Sequence, residues 1–254
     1  MRSFLVFLKK EFVEQVKTYK AIILLAVFLI FGMMSPLLAK LTPEIFKSMK
    51  MEGMQFTIPD PTFIDAYGQF FKNLSQMGFI VILLVFSGMI SQEISRGTLI
   101  NILSKGLSRT SVVLSKFVAA VTTWTVCYVI SVLTCFGYTF YLFGSHSPSN
   151  FFLSLFTMWL FGIFVLALIT LCSAVVSGNY GGLLLSGGVL GILLILGAFP
   201  NIVRFNPTFL ASCNTGLLSN TADKGDVFTA MFVTVIAIVL CLVLAVLSFN
   251  KKKL

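Results

Sequence analysis

The chain has 254 residues, 57% of them apolar and only 11% charged, with a mean hydropathy of +0.99 and a formal net charge of +9. A soluble domain must coat its surface with charge and usually carries about a quarter charged residues, so composition excludes that class. The positive charge lies at the edges of long apolar runs, which excludes nucleic acid as the partner and leaves the lipid bilayer.

Residues 1–20 read as a cytoplasmic amphipathic helix lying in the membrane interface. Phe4, Leu8, Phe12 and Val16 recur at i, i+4 spacing, with Lys9, Lys10, Glu14 and Lys17 elsewhere around the wheel. The mixed charges here, and the long apolar run after them, argue against a cleaved signal peptide. Residues 21–249 then form one transmembrane domain of six α-helical spans, at about 21–39, 74–92, 117–143, 151–176, 182–199 and 227–249. Each is close to the roughly 20 residues a bilayer core requires. Pro36 is expected to kink the outer end of the first span. Residues 40–73 and 201–226 are the longer polar loops, and 250–254 is a basic cytoplasmic tail.

Orientation follows from Lys and Arg. Twelve of the 18 fall on the side that carries the N-terminus, the 93–116 segment and the tail. The expected protein is therefore a multi-pass protein of the cell inner membrane with both termini cytoplasmic. Its fold class is all-α integral membrane, with a cytoplasmic helix between spans two and three.

Several activities are missing from the sequence. There is no GxxxxGK[ST] loop to cradle a nucleotide. No span carries Asp, Glu, Lys or Arg at its middle, where a proton- or ion-coupled carrier holds its coupling charge. No catalytic constellation of an intramembrane protease is present. His146 has no second ligand nearby, and the five cysteines show no CxxC spacing. The expectation is a non-enzyme with no metal or cofactor of its own, driven by energy released elsewhere.

The informative segment is residues 91–116. Glu93 closes the second span, Gly97-Thr98-Leu99 breaks the helix, Leu99, Ile102 and Leu103 share one face of a short amphipathic helix, and Ser108-Arg109 leads to Lys116. An acid at the end of span two, a Gly-Thr-Leu step, a short helix and a Ser-Arg pair resemble the six-span permease subunits of type-2 ATP-binding-cassette (ABC) exporters. The start Phe7-Leu8-Lys9-Lys10-Glu11-Phe12 and the loop motif Pro59-Asp60-Pro61-Thr62 fit the same family. The resemblance covers the whole chain in topology and about three short motifs in sequence.

The resemblance implies a permease working with a second copy of itself or a related permease, each docked to a separate ABC ATPase subunit that holds ATP and Mg. Glu93, Gly97, Thr98, Leu99, Ile102, Leu103 and Arg109 would carry the main coupling contact, and Asn179 and Tyr180 in the 177–181 linker a smaller one. Glu93 is expected to pair with Lys9 or Lys10. Gln69, Asn73 and Gln76, at i, i+4, i+7, form a polar stripe that would line an outer vestibule. Gly178, Gly182, Gly187 and Gly191 have GxxxG spacing and are expected to let helices approach closely. Leu193 and Leu194 would form an apolar constriction on the substrate path. The expected function is export of a hydrophobic or amphipathic substrate such as a lipid, drug or peptide. The alternative is a non-transporting scaffold, or a resistance or sensor component that binds a peptide or partner protein.

Overall fold

The computed structural model describes residues 2–48, 60–95, 97–99, 106, 108–144, 148–176, 178, 180–199 and 202–252. Among these all the regular secondary structure is helix, as expected of a membrane protein that must satisfy its backbone without water. In order, the helices are α1 (Arg2–Lys17), α2 (Lys20–Ser48), α3 (Phe63–Asn73), α4 (Phe79–Phe86), α5 (Ser91–Ser95), α6 (Arg109–Phe143), α7 (Phe151–Val175), α8 (Gly181–Leu196), α9 (Phe209–Ser212), α10 (Asn214–Leu218) and α11 (Lys224–Lys251). A π-turn, Leu74–Gly78, joins α3 to α4, and a 3-10 turn, Val203–Phe205, precedes α9.

Among the described residues five helical runs are long and apolar enough to cross a membrane: Lys20–Glu44, Phe63–Ser95, Arg109–Phe143, Phe151–Val175 and Lys224–Lys251. The sixth apolar helix, α8, has 16 residues. At 1.5 Å per residue it is shorter than a core of about 30 Å. The helix of the first span, α2, does not stop near residue 39. It runs through Pro36 and Pro43 to Ser48. The loop expected over 40–73 is likewise partly helical, because Ala66, Tyr67, Phe70 and Phe71 of α3 are buried on one face while Asp65 and Lys72 face outward.

The centre is an aromatic cluster gathered from four helices. Trp124 of α6 is fully buried, edge-on to Phe28 of α2 at 5.4 Å, stacked on Tyr128 at 5.0 Å and 6.1 Å from Phe79 of α4. Its indole packs where only glycine fits, since a Cβ on Gly162 of α7 would lie 2.3 Å from the ring. The polar ends of these rings are satisfied by α7: Trp124 donates to the Trp159 carbonyl (3.2 Å) and Tyr128 to the Leu155 carbonyl (2.9 Å). α2 and α6 approach closely in the same way, with Gly32 against the Ser131 backbone and Ser131 Oγ donating to the Phe28 carbonyl at 2.6 Å. With lipid as solvent, such close packing and hydrogen bonding are what hold helices together.

Long-range contacts sort the helix ends onto two faces. Lys116, Glu11 and Glu93 meet on one, together with the starts of α6 and α8 and the ends of α5, α7 and α11. The other carries the end of α2, the start of α3, and α9 and α10.

Candidate functional site

The first of these faces holds the densest polar cluster in the described chain. Lys116, about two turns into α6, is buried to 3% side-chain exposure. Its Nζ stands 3.0 and 2.9 Å from the two carboxylate oxygens of Glu11 and 2.9 Å from Glu93 Oε1. Lys10 Nζ reaches the same Glu93 oxygen and Glu11 Oε1, each at 3.1 Å, and also pairs with Glu14. Glu93 therefore bridges two ammonium groups, Lys10 as the sequence suggests and Lys116 as it does not. Both ammoniums also sit over the Phe7 ring, at 5.1 and 5.9 Å.

α1 packs on the protein through a face other than the Phe4, Leu8, Phe12, Val16 stripe. Its protein-facing residues are Phe7, Glu11 and Gln15, exposed by only 5 to 7%, while Val16 is 55% exposed and Phe4, Leu8 and Phe12 are half-buried. The reason is electrostatic. Lys116 is a buried cation that must have a carboxylate, so the polar face of α1 turns inward, where Gln15 also accepts from Thr123, and the apolar flank is left for lipid.

Burial by itself would lower the Lys10 ammonium, but the hydrogen bond to Glu14 and the carboxylates of Glu93 and Glu11 outweigh it and hold Lys10 above the usual lysine range. Burial would likewise raise Glu14, and the Lys10 hydrogen bond with the charges of Lys116 and Lys10 takes it below the ordinary carboxylate value instead. Carboxylate oxygens of Glu11, Glu14 and Glu93 lie within 4.8 Å of one another, close enough to share a cation. The Lys10 and Lys116 ammoniums stand among them and supply that positive charge.

Glu93 is aimed by a break in span two. Residues 87–90 leave the α-helix as a turn, and the freed N–H groups of Ile90 and Ser91 both donate to Ser173 Oγ of α7 at 3.0 Å. Gly182 of α8 closes on this turn, and a Cβ there would lie 2.3 Å from the Ser87 carbonyl oxygen. Beyond α5 the chain reverses at Gly97, whose φ of 68° suits glycine. Thr98 is exposed and donates to the Glu93 carbonyl (3.3 Å), while Leu99 is fully buried. Leu99 is thus an anchor of this segment and not part of its free surface.

The remaining sites separate. Arg109 does not project freely: its Nη1 lies 2.7 to 2.9 Å from the carbonyls of Phe249, Asn250 and Lys252. Tyr180 is 74% exposed at the start of α8, beside Gly178 at φ 144°. Gly182 makes the close contact described above, whereas Gly187 and Gly191 face open space. Ile102, Leu103 and Asn179 lie outside the described residues, as do Pro59 and His146.

On the opposite face, Gln69 lines a cleft of about 700 Å³ between α2, α3 and α10. Asn73 accepts from Gln69 (3.2 Å) and donates to Ser35 of α2 (2.9 Å), so it joins two helices. Gln76 is exposed and falls off the stripe, because the π-turn at Leu74–Gly78 adds a residue and rotates the helix beyond it. Leu193 gives its carbonyl to Asn206 (2.6 Å), and Leu194 is 63% exposed.

A family model described as "ABC-2 family transporter protein" matches residues 5–254. No curated protein matches the chain.

Proposed function

The chain belongs to the ABC-2 transporter family, whose members are the membrane component of ABC transporters, and from that premise we propose that it is an exporter permease driven by a separate ATPase subunit. The ATPase docks on the Lys116 face, through the exposed Thr98 and through Tyr180. Both termini are on the cytoplasmic side, and α8 crosses the membrane as the sixth span.

The observation that supports this reading best is the shared salt bridge. Lys116, Glu93, Glu11 and Lys10 join the start of α6, the end of span two and α1 into one unit at the root of residues 97–108. A push on that segment is transmitted to spans two and three together. Within span two, the turn at 87–90 and the π-turn at Leu74–Gly78 are the places where the helical hydrogen-bond ladder is already interrupted and where such a push is absorbed as bending.

The substrate is hydrophobic or amphipathic. No span carries Asp, Glu, Lys or Arg at its middle, and α8 presents Leu184, Ile192, Leu194 and Ile195 uncovered by the rest of the chain. That face, with open space at Gly187 and Gly191, is where a second permease closes the path. Gentle purification from the native membrane tests the reading. An ABC ATPase should accompany the chain, and its ATP hydrolysis should rise with amphipathic compounds. A chain that emerges alone, or with a partner lacking nucleotide-binding motifs, overturns it.

A further inference from the structure

Two cations on the Lys116 face hold backbone carbonyls of helices other than their own. The last carbonyls of a helix have no partner within it and form the negative end of its dipole. Arg109, the first residue of α6, places Nη1 2.9 Å from the carbonyl oxygens of Phe249 and Asn250 and 2.7 Å from that of Lys252, all at the end of α11. Its guanidinium also lies 5.9 Å from the centre of the buried Phe249 ring. Lys252, which ends α11, then extends Nζ to the carbonyls of Ala174 (3.1 Å) and Val175 (3.2 Å) at the end of α7.

The result is a continuous chain of charge-assisted hydrogen bonds, the stronger kind. It runs from residue 109, where the 97–108 segment ends, through the end of α11, to residue 175, where the 177–181 linker begins. A cap supplied by a helix's own residues would fix that helix alone. Here each cap comes from a different helix, so each is also a tie.

We propose that Arg109 and Lys252 are positioning residues that clamp the ends of α6, α11 and α7 into one block, so that the two ATPase-facing segments of a permease move as a unit. This rests on the docking reading above and adds to it a role for the end of the last helix. Arg109 then acts through the carbonyls it holds and not by touching the ATPase.

The test uses the permease–ATPase complex with spin labels at Thr98→Cys and Tyr180→Cys, both exposed positions. Label-to-label distances are measured without nucleotide and in the ATP–vanadate state. The clamp predicts one narrow distance within a chain in both states. It also predicts that Lys252→Met broadens it and adds a second population on trapping, and that Lys252→Arg restores the narrow distance. Arg109→Met should do the same, with Arg109→Lys a partial rescue. Should Arg109→Met fail to assemble, the Lys252 series decides alone. A Lys252→Met distribution identical to the parent's in both states overturns the clamp while leaving docking intact. Loss of the docking reading has a different signature: the ATPase does not bind the unsubstituted chain at all.

Discussion

Lys116 and Glu93 meet at 2.9 Å, with 3% and 13% of their side chains exposed, and join the start of α6 to the end of span two. Glu11 completes the arrangement from α1, so a buried lysine near a helix start holds carboxylates from two other elements. Pairs of this kind contribute little net stability when intact but are costly to break, because the surviving charge is left buried.

Lys116→Met should therefore destabilise the protein by about 3–5 kcal/mol, the usual cost of leaving one member of a buried pair. The double variant Lys116→Met with Glu11→Gln should lose less than the sum of the two single changes, since they share one interaction. Unfolding in detergent measures both. Additive losses would show that the two groups do not depend on each other.

The docking of α1 should depend on acid in a particular direction. Glu14 is held below its ordinary value of 4.5, so its contribution is present above that value and is lost as pH falls through the lowered one. Lys10, held above its ordinary value, stays charged throughout and its contribution is lost only in strong alkali. Because both side chains are more than a third exposed, the effect is modest. Protease access to α1 should be constant from neutrality down to that acid limb, and Glu14→Gln should shrink the change there. A transition near neutral pH would contradict this assignment.

Gly182→Ala forces a Cβ onto the Ser87 carbonyl, and a backbone oxygen cannot swing aside. It should cost about 1–3 kcal/mol by overpacking. Gly187→Ala and Gly191→Ala meet open space within one chain and should leave the melting transition of the isolated chain unchanged. Equal losses at all three positions would mean that α8 is packed differently.

Ser173→Ala removes the acceptor shared by the Ile90 and Ser91 N–H groups. Two buried donors left unpaired cost about 1–3 kcal/mol each at most. Glu93, two residues beyond Ser91, should lose its fixed position, seen as a broader distance between labels on α1 and α5. Ser173→Thr keeps the hydroxyl and should behave like the parent.

Much of the architecture is legible because hydropathy is a strong signal: a run such as Phe151–Val175 admits little else. The start of span two is obscured, because Asp65, Gln69, Lys72 and Asn73 lower the local hydropathy although Ala66, Tyr67, Phe70 and Phe71 form a buried face. In α1 the apolar stripe does not show which face packs on the protein. The signal that finds the right one is Phe7, Glu11 and Gln15 at i, i+4, i+8, together with Lys116, a cation just inside a span with no partner in its own segment. Arg109 reads as a surface contact because a sequence does not show that a helix end, 140 residues further on, will supply carbonyls to it. The phase shift that removes Gln76 from the Gln69 stripe depends on a π-turn, for which the sequence carries no distinct pattern.

The central claim is that an ATPase binds the Lys116 face, and a photo-activatable cross-linker tests it most directly. It would be placed singly at Thr98, at Tyr180 and, on the opposite face, at Phe152, which is 84% exposed. The account predicts that Thr98 and Tyr180 capture one and the same ABC ATPase subunit and that Phe152 does not. Capture of no ATPase at either position, or its capture at Phe152 alone, would contradict it.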